Sequence, residues 1–110
     1  MRYEGEFLND EKNGKGTEYR YPKTKIYEGE YLNGLKNGKG KENLEDGNTY
    51  DGEFLNGVRN GKAKLYNYEG KLLFEGEYLN GEKWNGKIRV YDKDKLTFEG
   101  VYFNGKLVNK

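Results

Sequence analysis

Cysteine and histidine are both absent from this 110-residue chain. Without cysteine there is no disulfide framework, no thiolate nucleophile and no zinc–thiolate site. Without histidine, Ser-His-Asp triads, most zinc chemistry and the usual proton shuttle near neutral pH are excluded. Apolar runs are only two or three residues long, so no stretch reads as a membrane-spanning helix. Met1 leads into Arg2 and Tyr3 with no apolar core of a secretory signal. A reducing, cytoplasmic setting is the expectation, with association to membrane or cytoskeleton left open.

Aliphatic content is also low. Hydrophobic residues make up 33% and charged residues 35%, a balance that leans towards disorder. Two features oppose that. The 20 basic and 19 acidic residues nearly cancel, and aromatics reach 15% with eleven tyrosines, whereas disordered chains are aromatic-poor. Order here should rest on rings.

What is abundant is glycine, and it is periodic. Tyr3-Glu4-Gly5-Glu6-Phe7-Leu8-Asn9 returns as Tyr27-Glu28-Gly29-Glu30-Tyr31-Leu32-Asn33, Tyr50-Asp51-Gly52-Glu53-Phe54-Leu55-Asn56 and Phe74-Glu75-Gly76-Glu77-Tyr78-Leu79-Asn80. Phe98-Glu99-Gly100-Val101-Tyr102-Phe103-Asn104 opens a fifth, incomplete copy. Each full copy carries a second block: Asn13-Gly14-Lys15-Gly16, Asn37-Gly38-Lys39-Gly40, Asn60-Gly61-Lys62-Ala63 and Asn85-Gly86-Lys87-Ile88. A fixed period of this length marks a repeat architecture.

These blocks resemble the MORN repeat (membrane occupation and recognition nexus), over essentially the whole chain. The repeats fall at about 3–26, 27–49, 50–73 and 74–97, with a partial copy at 98–110, all in one domain spanning 1–110. There are departures from the family pattern. Asp10 stands where glycine usually follows the asparagine, Ala63 and Ile88 replace the last glycine of the second block, and one extra residue lengthens the turn at Lys83-Trp84-Asn85-Gly86.

The residues themselves predict strands. In Tyr27–Leu32 the rings and Gly29 alternate with Glu28, Glu30 and Leu32, a period of two. Asn33-Gly34 through Gly38 is rich in residues that accept positive φ, as a hairpin turn needs. Linking turns are expected at Pro22–Lys25, Glu45–Asn48, Glu69–Lys71 and Asp92–Lys95. The expected fold is all-β: a single-layer, twisted or rolled antiparallel meander of about nine strands, roughly 40–45 Å long. Mid-strand glycine normally weakens a strand. Beside aromatic positions it leaves a slot that a ring can cover, so the concave face should be lined with rings. The other face should carry acidic rows (Glu4, Glu28, Asp51, Glu75, Glu99 and Glu6, Glu30, Glu53, Glu77) beside a basic row (Lys15, Lys39, Lys62, Lys87), paired across strands.

Catalytic motifs do not survive inspection. Gly14-Lys15-Gly16-Thr17 lacks the earlier glycine of a phosphate loop. Asp92-Lys93-Asp94 has no further ligands at calcium-loop spacing. Glu28 and Glu30 share a face as a glycosidase pair does, but they recur as a ladder. No enzyme activity, cofactor or metal is expected, and nucleic acid is disfavoured for want of a net basic face.

The first expectation for function is a protein–protein interaction scaffold. Its partner surface is the aromatic row Tyr3, Phe7, Tyr27, Tyr31, Tyr50, Phe54, Phe74, Tyr78, Phe98 and Tyr102. Equivalent rings recur every two strands, roughly 9.6 Å, close to the ~10.5 Å advance of a helix per heptad. A peptide or amphipathic helix therefore fits, and alanine at Tyr31, Phe54 and Tyr78 together should abolish its capture. The resemblance implies a rival, contact with acidic phospholipids such as phosphoinositides, for which Lys12, Lys36, Arg59 and Lys83 form a basic row in the hairpin turns. Acidic rows within about a Debye length, roughly 8–10 Å, weaken that field. Family arrays also occur as accessory regions of larger signalling proteins. Open sheet edges at Met1–Phe7 and Val101–Lys110 permit homodimer pairing.

Overall fold

A computed structural model describes residues 2–108. The strands run β1 (Arg2–Leu8), β2 (Glu11–Arg20), β3 (Thr24–Leu32), β4 (Leu35–Asn43), β5 (Thr49–Leu55), β6 (Val58–Tyr66), β7 (Leu72–Leu79), β8 (Glu82–Asp92), β9 (Lys95–Phe103) and β10 (Lys106–Val108). They pair antiparallel in chain order as one open sheet, with Cα extents of 50 × 30 × 14 Å. There are ten strands rather than about nine. The partial fifth copy closes its own hairpin, in which Lys106 pairs with Phe103. The described sheet edges are β1 and β10; Met1, Asn109 and Lys110, parts of the expected edge segments, lie outside the described residues.

Within each repeat the hairpin turn is two residues long and left-handed at both. Asn33, Asn56, Asn80 and Asn104 have φ near 50°, and the glycine after each is also positive. This is the turn whose twist matches the strands, and it favours Asn-Gly. In the first hairpin Asp10 must take φ 67° where the others use glycine. An L-residue there is strained. Asp10→Gly should therefore raise stability by about 0.5–1 kcal/mol, read as a higher urea midpoint with an unchanged slope. A lower midpoint would show that the Asp10 side chain contributes more than its backbone costs.

Each turn is also tied to the repeat before it. The amides of Asn33, Asn56, Asn80 and Asn104 donate to the side-chain oxygens of Asn13, Asn37, Asn60 and Asn85, at 2.9–3.3 Å. The next amides, of Gly34, Gly57, Gly81 and Gly105, donate to the carbonyls of Lys12, Lys36, Arg59 and Trp84. The asparagine of the second block is thus a splice between repeats, a role that its spacing alone did not disclose.

Glycines opposite one another (Gly5 and Gly16, Gly29 and Gly40, Gly76 and Gly86) form a bare row across the sheet. A Cβ at Gly40 would clash with the outer end of the Tyr27 ring, which lies back over both glycines and donates its hydroxyl to the Glu30 carbonyl at 3.0 Å. Rings nested over glycines were expected, and the packing has this form. Beyond this row in the first three hairpins the return strand carries two surplus residues, as where Gly29 faces Gly40 but Tyr31 faces Lys36. The bulge is closed by the second glutamate of the block: Glu6, Glu30 and Glu53 accept the amides of Lys15, Lys39 and Lys62 at 2.7–2.8 Å.

That arrangement corrects the expected charge ladder in part. Acid and base do face each other in register, as at Lys15–Glu30, Lys41–Asp51 and Lys39–Glu53. Yet these glutamates bond to backbone amides, and among the described residues Lys15, Lys39, Lys62 and Lys87 form no close ion pair. A carboxylate accepting an otherwise unpaired bulge amide makes a stronger bond than an exposed ammonium offers.

In the fourth repeat the extra residue is absorbed by a change of register. Gly76 faces Gly86 and Tyr78 faces Lys83, leaving one surplus residue instead of two. Glu77 then reaches only the Asn85 side chain, at 3.5 Å.

Candidate interaction surface

The aromatic face is the core. Tyr27, Tyr31, Tyr50, Phe54, Phe74 and Tyr78 are no more than 6% exposed. They belong to a continuous edge-to-face chain: Phe7 on Tyr3, Tyr3 on Tyr31, Tyr31 on Tyr27, Tyr27 on Phe54, Phe54 on Tyr50, Tyr50 on Tyr78, and Tyr78 on Phe74. Centroids in these steps lie 4.9–5.4 Å apart, the favoured geometry for aromatic pairs. The next step, Phe74 to Tyr102, lengthens to 6.2 Å beside the altered register of the fourth repeat. Of the ten rings read as a partner surface, Phe7 and Phe98 at the two ends are exposed and Tyr3 and Tyr102 are half-buried. The other six have their surfaces consumed by one another.

The cations Lys12, Lys36, Arg59 and Lys83 lie over this same face. Lys12 sits above Tyr3 and Tyr31, Lys36 above Tyr27, Arg59 above Tyr50 and Lys83 above Phe74. The basic edge expected along the turns is therefore folded inward, because the long stems cover rings that a single-layer sheet leaves without a second layer. Three of the four also form ion pairs, with two carboxylates between them. Lys12 pairs with Glu18 at 3.0 Å, and Lys36 and Arg59 both pair with Glu42, at 3.4 and 3.0 Å.

Glu18 is buried and also accepts the Tyr31 hydroxyl at 2.5 Å. Burial alone would raise its carboxyl pKa, but the Tyr31 and Lys12 hydrogen bonds and the Lys12 charge outweigh burial and hold it below the usual carboxylate value. A folded-state pKa below the unfolded one contributes stability that is complete above the unfolded value and disappears as pH falls through the folded one. Melting temperatures should therefore drop on acidification below about pH 4.5, and Glu18→Gln should flatten that acid limb. Identical acid limbs would remove Glu18 from the account.

Hollows do form on the opposite, charged face. One of about 620 Å3 opens over Gly52, Ala63 and Gly76 between Lys39, Lys62, Lys64, Glu53 and Glu75. Another of about 440 Å3 lies over Gly16 and Gly29. The rim of that face holds the residues that composition and motif left unnoticed. Leu8, Leu32, Leu35, Leu55, Val58, Leu79 and Phe103 flank the hairpin turns and are 40–63% exposed. Leu32 pairs with Leu35 and Leu55 with Val58, and a Cβ added at Gly57 in the next turn would meet the Leu35 side chain. The signal was present in the sequence as the leucine that precedes each turn asparagine through the fourth copy.

The family model described as MORN repeat matches the chain at residues 3–23, 27–49 and 50–71. No curated protein matches it. MORN repeats are in general repeats of protein or membrane interaction. The matched segments coincide with the first three ring-and-glycine hairpins, cover more than half of the sequence, and place this chain in the MORN repeat family.

Proposed function

We propose that the chain is a non-enzymatic scaffold for protein–protein interaction, holding an amphipathic partner segment along its hairpin tips. The observation that carries this reading is the apolar row from Leu8 to Phe103, repeated at every hairpin and left exposed. Exposed apolar surface arranged contiguously marks partner sites, whereas single exposed leucines do not. The row shares the two-strand period of the rings, roughly 9.6 Å, so a helix advancing ~10.5 Å per heptad sets one apolar residue near each tip. The charged hollows beside the row supply polar contacts of both signs.

The rings support this scaffold from beneath. Alanine at Tyr31, Phe54 and Tyr78 would remove the core along with any contact, so the discriminating variant is Leu32→Ser, Leu55→Ser and Leu79→Ser together. It should keep the wild-type circular dichroism spectrum and lose the proteins that wild type captures from extract. Capture unchanged by the triple serine variant would overturn the reading. Contact with acidic phospholipid is less favoured because Glu18 and Glu42 already engage Lys12, Lys36 and Arg59. Flotation with phosphoinositide vesicles that tracks Lys36 and Arg59 would reverse that preference.

A further inference from the structure

Three successive slots on the aromatic face are built to one plan, and the third lacks its central group. In the first, Glu18 faces Tyr27 across the sheet and binds Lys12 and the Tyr31 hydroxyl. In the second, Glu42 faces Tyr50 and binds Lys36 and Arg59. In the third, Leu65 stands at the same register position, facing Phe74. The groups that would have surrounded a carboxylate remain. Arg59, Lys83 and Tyr78 all line one hollow of about 450 Å3 with Leu65 on its wall.

Among the described residues, Lys83 has no ion pair and the Tyr78 hydroxyl has no hydrogen-bond partner. Burial, and then the neighbouring Arg59 charge, hold the Lys83 ammonium below its usual pKa, with Asp46 opposing weakly. Asp46 does line the hollow, but its carboxylate is engaged by the Asn48 amide at 2.9 Å and the Asn48 side chain at 3.3 Å. Arg59 already donates its Nε–H to Glu42 at 3.0 Å. The hollow therefore presents Arg59, Lys83 and the Tyr78 hydroxyl over an apolar wall of Leu65, Leu44 and Tyr102, with Asp46 and Glu82 also on its lining.

The geometry points to this third slot as a binding site for a carboxylate contributed by a partner polypeptide, a glutamate or aspartate side chain flanked by apolar residues. The chain's own first two slots argue for a carboxylate over a phosphate, since a glutamate fills each of them between the same kinds of group. The Lys83 ammonium, in no ion pair among the described residues, and the Tyr78 hydroxyl select an acidic group, and the apolar wall selects its neighbours. The inference rests on the scaffold reading and specifies one of its contacts.

The test is an NMR titration with acetyl-Leu-Glu-Leu-amide, its glutamine counterpart and inorganic phosphate. The glutamate peptide should shift the Arg59 side-chain, Tyr78 and Lys83 signals saturably, with at least tenfold tighter binding than the glutamine peptide. Leu65→Glu installs the internal carboxylate that the earlier slots already tolerate. It should raise the Lys83 pKa and weaken peptide binding at least tenfold. Lys83→Gln should weaken the binding as well without depending on how Leu65→Glu folds. Equal binding of the two peptides, binding of neither, tighter binding of phosphate, or indifference to both substitutions would each overturn the slot. Partner capture that is lost on serine substitution of the leucine row but carries no glutamate preference would refute the slot and leave the scaffold standing.

Discussion

Tyr50→Ala should lower stability by about 3–5 kcal/mol, the range for deleting a buried large aromatic, and should divide the array. Tyr50 is fully buried. Its ring meets Phe54 at 5.1 Å and Tyr78 at 4.9 Å, and Arg59 covers it at 5.5 Å. Folded domains are stable by only about 5–15 kcal/mol, so the loss is a large share of the total. The position magnifies it. In a repeat sheet each hairpin contacts only its neighbours, and stability adds along the chain. Tyr50 joins Phe54, which meets Tyr27 of β3, to Tyr78 of β7, so its removal should uncouple β1–β4 from β7–β10. Denaturant unfolding should change from one transition to two, with hydrogen exchange accelerated first around β5 and β6. A single transition shifted by less than about 1 kcal/mol would refute the ring chain as the core. Tyr50→Phe is the companion measurement. It removes only the 2.7 Å bond to the Glu53 carbonyl and should cost about 0.5–1.5 kcal/mol, since Phe74 already serves at the equivalent place without a hydroxyl.

The second large effect separates two glycines that the sequence makes look alike. Gly29→Ala should cost about 1–3 kcal/mol by overpacking, while Gly40→Ala should cost well under half as much. A Cβ at Gly29 meets backbone, the Gly40 Cα and the Lys39 carbonyl, along with the Tyr27 hydroxyl. Backbone held in a ladder cannot step aside. At Gly40 the nearest atoms to the Cβ belong to the outer end of the Tyr27 side chain rather than to backbone. One hairpin further on, Ala63 faces Gly52 as Gly40 faces Gly29, so that place has already accepted a methyl group. Alanine also restricts the unfolded chain, which offsets about 0.4–1 kcal/mol in both variants. Equal midpoints for the two would show that ring displacement and backbone contact cost the same, contrary to the packing described.

Much of this was legible before any coordinates. The period, the hairpins, the turns and the nesting of rings on glycine follow from residues that recur at fixed spacing, because strand alternation and left-handed turns are local consequences of residue type. The fate of the charged rows was not legible. Glu30 and Lys39 read as partners in a ladder, and only the two-residue bulge shows the carboxylate turned to the Lys39 amide. The turn lysines read as an exposed edge, and only the ring face beneath them explains why they fold inward. The rings themselves read as both core and partner surface. Leu32, Leu55 and Leu79 are not legible as a surface, because one leucine in a strand carries no message until its exposure is known.

By itself, the sequence determined that this is a β-hairpin repeat of the MORN type, with glycine, ring and Asn-Gly turn each in its place. Those choices depend on backbone conformations open to single residues and their immediate neighbours. The tertiary structure decided which surface is left over. It closed six rings into an interior, drew four cations across them, exposed the leucine row, and left the third slot with Leu65 where two others hold glutamate. Whether a side chain is consumed or exposed depends on partners one or two strands away, and that distance is set by register, which the bulges decide.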